Sequence, residues 1–263
     1  MDAHAQRYPY ERVQKKEAGF AYPQPDLLKV SPALGERTTS EAFSAIYTET
    51  YGPSTGARLL TDLAGDSTMR RYEGAEGTIL SRFQNGPANT SGEHVYCTHK
   101  TMKYGVFGSG GTCLIDKTGD GTFDVTGLFD ETVHSYHGVE DGTLSPPVPY
   151  EVIELTEDQR EFEVDMMLVY QNLRSLYPIF STFGKRTKPD VKSGDLNKVV
   201  PREHRVPPGK DRQAYADGIE FIMHEADDDS ITYTITGGTF DQVSFLHPLR
   251  GYMVLVKPRP MPE

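Results

Sequence analysis

The chain has no tryptophan, only two cysteines in 263 residues, and no long apolar run. Its longest uninterrupted hydrophobic stretches, such as Met166-Met167-Leu168-Val169-Tyr170, are far shorter than the roughly 20 residues of a membrane-crossing helix. Two cysteines cannot supply a pair of C-x-x-C zinc knuckles. Basic residues are outnumbered, 27 Lys and Arg against 38 Asp and Glu, and the net charge of −11 repels phosphate backbones. Nucleic acid is therefore not an expected partner. The sequence also lacks G-x-S-x-G, a P-loop and H-E-x-x-H, which removes three common catalytic signatures. The opening residues, Met1-Asp2-Ala3-His4-Ala5-Gln6, are neither basic nor apolar, so no intact signal peptide is expected there. Ala3-His4-Ala5 does have the A-x-A form of a cleavage site.

Tyr (15), Phe (12), Gly (25) and Pro (18) are abundant. Aromatic side chains suit pleated, half-buried surfaces, and Gly and Pro supply turns, so the composition points to β structure. The clearest window is 162–170, where Phe162, Val164, Met166, Leu168 and Tyr170 alternate with Glu161, Glu163 and Asp165 at a period of two. The acidic residues of that window are expected on a solvated face. Ile231, Tyr233 and Ile235 alternate with threonines, and 218–224 precedes them across Asp227-Asp228-Asp229 as a hairpin. Further strands are expected at 77–83, 93–97, 112–116, 122–125, 148–153 and 251–256. Residues 39–43 begin like a capped helix, with Phe43, Ile46 and Tyr47 at helical spacing. The expected fold is mainly β with little helix, an antiparallel sandwich or jelly roll. Residues 1–38, rich in proline, read as an extended arm before a β-rich domain over 39–263. The polar stretch 184–217 reads as a long loop and a possible sub-boundary.

Cys97 and Cys113 fall in neighbouring strand windows, where cross-strand pairing brings sulfurs within bonding range, so a disulfide is expected. Asp116, Thr118, Asp120, the Thr122 carbonyl and Asp124 occupy alternate positions of a nine-residue turn, with Gly121 allowing a sharp bend. This spacing resembles the D-x-D-x-D-G calcium loops of EF-hands, dockerins and bacterial surface proteins, and the resemblance implies a structural calcium ion; the same residues also read as a plain β-hairpin turn rich in Asp and Gly that needs no metal. It departs from the EF-hand at its twelfth position, where Gly127 replaces the bidentate Glu. The wider pattern from Cys113 to Asp124, C-x-x-D-x-x-x-D-G-x-F-D, resembles uncharacterised exported proteins of Gram-negative bacteria. His94, His99, His134 and His137 cluster in sequence. On strands, though, His134 and His137 face opposite ways and cannot chelate together.

These readings lead to one expectation, one rival and a third possibility, a small-ligand carrier with a pocket between sheets. The expectation is a non-catalytic structural or interaction protein of the cell envelope or an extracellular assembly. It would be periplasmic, cell-surface or secreted, with other protein subunits as partners through the N-terminal arm and no membrane span. The rival is a carbohydrate-active or other hydrolytic enzyme, whose two carboxylates only the fold can bring together.

Overall fold

The computed structural model describes residues 21–23, 26–67, 70–85, 94–103, 109–130, 135–188, 202–240, 243–244 and 255–256. Among these, the one helical element is a single 3-10 turn, Glu157–Gln159, and the other elements are strands. In chain order the first four are β1 (Ala21–Pro23), β2 (Asp26–Ser31), β3 (Arg37–Glu41) and β4 (Ala45–Gly52). Next come β5 (Thr55–Leu59), β6 (Leu63–Ser67), β7 (Arg70–Gly74), β8 (Ile79–Asn85), β9 (His94–Lys103), β10 (Ser109–Asp116), β11 (Thr122–Asp130) and β12 (Ser135–Glu154). Then follow β13 (Glu163–Arg174), β14 (Tyr177–Lys188), β15 (Arg202–Arg205), β16 (Arg212–Ala216), β17 (Ile219–Ala226), β18 (Ser230–Gly238), β19 (Val243–Ser244) and β20 (Leu255–Val256). The pairings between them are antiparallel.

The strands form two compact units. Unit one holds β1 and Pro53–Phe162, and unit two holds β2 to β4 together with the strands after Glu163. In unit one, β5, β8, β9, β10, β11 and β12 pair in succession, and β12 returns to β5. The result is a closed six-stranded barrel, which leaves its wall no free edge. Antiparallel β structure is therefore found as expected, but in this unit it closes on itself. Alternation along the strands gives the wall two apolar faces. Ala57, Leu59, Leu80, Tyr96, Leu114, Phe123, Leu144, Val148 and Tyr150 come from all six barrel strands and fill the interior. Val95, Cys97, Cys113 and Ile115 have the opposite parity and form a separate cluster with Phe83, Val125 and Phe162. Phe162 meets Phe83 edge-on at 5.5 Å.

Unit two has a five-stranded sheet, β15-β14-β13-β4-β2, and a four-stranded sheet, β16-β17-β18-β3. Both contribute to one core. Tyr47, Tyr51, Met166, Leu168, Tyr170 and Phe180 from the first sheet cluster with Phe221, Met223, Ile231, Tyr233 and Ile235 from the second. Phe180 and Phe221 touch across the core at 5.2 Å.

Several sequence expectations change here. Residues 26–31 and 37–41 are strands paired within the two sheets of unit two, so the arm expected over 1–38 does not extend through them. Residues of the domain expected over 39–263 are shared between the two units, which divide at 52/53 and 162/163 among other places. The helix expected from Thr39 is absent. β3 runs to Glu41, Phe43 turns the chain at φ +64°, and β4 begins at Ala45. The i, i+3, i+4 spacing of Phe43, Ile46 and Tyr47 masked a period of two in Tyr47, Glu49 and Tyr51, all buried. Within the stretch 184–217 read as a loop, β14 runs on to Lys188 and β15 and β16 occupy 202–205 and 212–216, while 189–201 lie outside the described residues. Of the strand expected at 251–256, only β20 lies among the described residues.

Candidate functional site

Cys97 and Cys113 stand directly opposite one another on β9 and β10 and are joined as a disulfide, with Cα atoms 4.0 Å apart. Both are fully buried. The bond ties two adjacent staves of the barrel wall across a separation of 16 residues, a loop size worth about 3 kcal/mol in the chain-entropy account.

The turn that follows β10 carries the five residues read as calcium ligands. Asp116 is buried, and its carboxylate points back into its own turn. Oδ1 accepts from the backbone N–H of Thr118 at 3.1 Å and of Gly119 at 2.6 Å. Oδ2 accepts from the N–H of Gly121 at 3.0 Å and from the Tyr150 hydroxyl at 2.8 Å. Gly121 sits at φ +86°, a conformation that glycine adopts without strain. Burial pushes the Asp116 carboxyl up. The Tyr150 hydroxyl and the N–H groups of Gly121, Gly119 and Thr118 outweigh that and leave it below the usual carboxylate range. Burial, followed by the Asp116 contact, pushes the Tyr150 hydroxyl up. Asp120 is exposed and accepts from the N–H and hydroxyl of Thr122 at 2.9 and 2.7 Å. Asp124 accepts from the N–H of Lys117 at 3.0 Å. The Thr118 hydroxyl lies 3.5 Å from Asp116 Oδ1. The expected ligands thus share one turn, and their carboxylates are engaged by N–H and O–H donors of that turn and its surroundings, with the Thr118 hydroxyl close to both Asp116 and Asp120. Among the described residues, no group of three or more His, Cys, Asp or Glu side chains is arranged to hold a metal ion.

Sequence reasoning missed two further polar arrangements. Glu49, on β4, is fully buried in the core of unit two. Oε1 accepts from the Tyr47 hydroxyl at 2.9 Å, and Oε2 accepts from the Tyr51 hydroxyl and from the N–H of Phe240 at 3.1 Å. Burial raises the Glu49 carboxyl, with the Tyr51, Phe240 and Tyr47 donors opposing. Burial raises both tyrosines, and the neighbouring carboxylate raises them further. The available signal was the alternation of Tyr47, Glu49 and Tyr51. On the four-stranded sheet, His224 bonds Asp211 through Nδ1 at 2.6 Å and Thr234 through Nε2 at 3.0 Å. No motif announces this chain, because its members come from three different segments.

His94 lies 3.5 Å from an Arg82 guanidinium nitrogen. His134 lies outside the described residues, as do the side chains of His99 and His137 on β9 and β12. Glu161 and Glu163, expected on a solvated face, are each 8% exposed. Glu161 accepts from the Thr98 hydroxyl at 2.8 Å, and Asp165 accepts from the Thr50 hydroxyl at 2.7 Å. Among the described residues, no helix is long and apolar enough to cross a membrane. Comparison with family models, with curated proteins and with solved structures finds no match to this chain.

Proposed function

We propose that the protein is a structural or interaction protein of an oxidising compartment, built into a cell envelope or an extracellular assembly. The observation that carries this reading is the buried Cys97–Cys113 disulfide in the wall of a barrel that already has a complete apolar interior. Such bonds persist where thiols are not kept reduced, in the periplasm, at the cell surface and outside the cell. The carboxylates of unit one support it. Asp116 and Glu161 are buried and engaged by donors of their own unit, so they fasten the fold instead of facing a substrate. The partners in this reading are other protein subunits. Because β1 and β2 pair within the sheets, Ala21–Pro23 and Asp26–Ser31 do not belong to a free arm for subunit contact.

The test uses protein from its native source, alkylated without reduction and then digested. The expected result is a disulfide-linked pair of peptides containing Cys97 and Cys113, recovered from a fraction of higher mass than one chain. Two alkylated thiols on a monomeric cytosolic protein would overturn the proposal.

A further inference from the structure

The outer face of the four-stranded sheet carries a chain of polar groups that the structural reading does not use. Asp211 stands at the entry to β16, His224 on β17 and Thr234 on β18, and the imidazole bonds the carboxylate through Nδ1 and the hydroxyl through Nε2. A carboxylate only accepts, so in neutral imidazole the proton resides on Nδ1. Nε2 is then a bare lone pair, and the Thr234 hydroxyl must donate to it. The arrangement is a carboxylate, an imidazole held in one tautomer, and a hydroxyl whose proton already points at the base.

Local backbone features produce this geometry. His224 falls where the β17–β18 register shifts, between the pairs Met223–Tyr233 and Glu225–Thr232. Such a bulge re-aims a side chain. Here the ring reaches Thr234, whose own cross-strand partner is Ile222. Asp211 holds φ +51°, in the left-handed region that Asp tolerates better than most residues. The His224 bond, against the opposing effect of burial and with help from the charges of Lys210 and Arg37, keeps its carboxyl below the usual range. Arg37, on β3, is the direct cross-strand partner of Thr234 on its other side and is exposed. Directly opposed residues share a face with Cβ atoms about 5 Å apart. An exposed arginine therefore shares the face of Thr234 from the neighbouring strand, in a protein of net charge −11.

We propose that Asp211, His224 and Thr234 form an acyl-transfer site, with Thr234 as nucleophile toward unhindered carboxylic esters that carry a negative charge near the carbonyl. Oγ1 attacks the carbonyl carbon as its proton passes to Nε2, and the oxyanion develops beside Arg37. The carbon–oxygen bond to the leaving group breaks with its electron pair, and His224 returns the proton to the departing alkoxide. Products at this stage are an alcohol and acyl-Thr234. Water, deprotonated by the same imidazole, then attacks the acyl carbon. The carboxylic acid leaves, the threonine oxygen takes the proton back from His224, and the net reaction is ester hydrolysis. Asp211 is a positioning residue that acts through the ring. This activity goes beyond the structural reading of unit one and does not depend on it.

The test mixes the full chain at neutral pH with 4-nitrophenyl hemisuccinate and, separately, with the neutral 4-nitrophenyl butyrate. The expected result is a burst of about one equivalent of nitrophenolate, faster with the hemisuccinate, and mass spectrometry placing the succinyl group on Thr234. His224→Gln should slow acylation by about 100-fold or more. Asp211→Asn should lower kcat with KM little changed. Arg37→Gln should slow both esters and remove the preference between them. Thr234→Ser should retain the burst and the isosteric Thr234→Val abolish it, which decides the matter even where the His224 variant fails to fold. Acylation confined to lysines or tyrosines, or an undiminished burst in Thr234→Val, overturns the proposal and leaves His224 as a fastener of three strands.

Discussion

The Tyr150 hydroxyl donates to Oδ2 of Asp116 at 2.8 Å inside unit one, joining residues 34 apart in sequence. The same tyrosine ring stacks on Phe123 at 4.1 Å and meets Tyr96 at 5.3 Å, so the turn after β10 is anchored to the barrel interior by one side chain. Hydrogen bonds to charged groups contribute about 1.5–3 kcal/mol. Tyr150→Phe should lose an amount in that range, measured by urea unfolding. Asp116→Ala should lose more, because it strands the N–H groups of Thr118, Gly119 and Gly121 as well as the Tyr150 hydroxyl. Equal stability of wild type and Tyr150→Phe would show that the contact does not hold the turn.

Acid should act on the two units with opposite signs. Asp116 is shifted down in the folded state, so its contribution is complete above the unfolded carboxylate value of about 3.9 and is lost as pH falls through the folded value. Glu49 is shifted up, so its contribution is complete below about 4.3 and is lost as pH rises through the folded value. Hydrogen exchange read by mass spectrometry separates the units. On acidification from neutral pH, peptides of β4 should gain protection in the wild type relative to Glu49→Gln. Below about pH 4 the Asp116 turn should lose protection relative to Asp116→Asn. A β4 difference that does not change with pH would refute the Glu49 assignment.

Calcium provides a direct check on the turn from Asp116 to Asp124. A cation there would have to displace N–H donors already bonded to Asp116. The expected outcome is the same melting temperature in millimolar calcium and in chelator. An ion that binds only the folded state, at 100 times its dissociation constant, adds about 2.7 kcal/mol. A rise of corresponding size in calcium, lost in Asp120→Ala, would instead establish the structural ion that the spacing of the acids suggests.

Barrel closure depends on a close backbone approach at Gly56. A Cβ there would lie 2.5 Å from the Leu80 carbonyl oxygen and 2.7 Å from Leu155 Cδ2. Gly56→Ala should therefore destabilise unit one by about 1–3 kcal/mol, in the manner of an overpacked core. Gly237→Ala, whose added carbon meets only Glu220 Oε2 at 4.0 Å, should stay within about 0.5 kcal/mol. Similar unfolding midpoints for the two variants would show that β5 can move away from β8.

The alternation of Val164, Met166, Leu168 and Tyr170, the hairpin of β17 and β18, and the pairing of Cys97 with Cys113 were all legible in the sequence. Each rests on local geometry, since a strand turns successive side chains to opposite faces and adjacent strands bring opposed residues together. Tertiary structure decided what local geometry cannot. Phe162 continues the same alternation, yet it packs with Phe83 in unit one. The sheet of β8 to β12 becomes a barrel only because 150–154 pair with 55–59, a register that neither segment encodes alone. Glu49 looks like any strand glutamate until Tyr47, Tyr51 and Phe240 enclose it, and His224 meets Asp211 and Thr234 only through a bulge and two pairings. Side-chain parity is a property of one strand. Closure, burial of charge and polar relays depend on which strands meet and in what register, and that is fixed by the competition of segments across the whole chain for places in its cores.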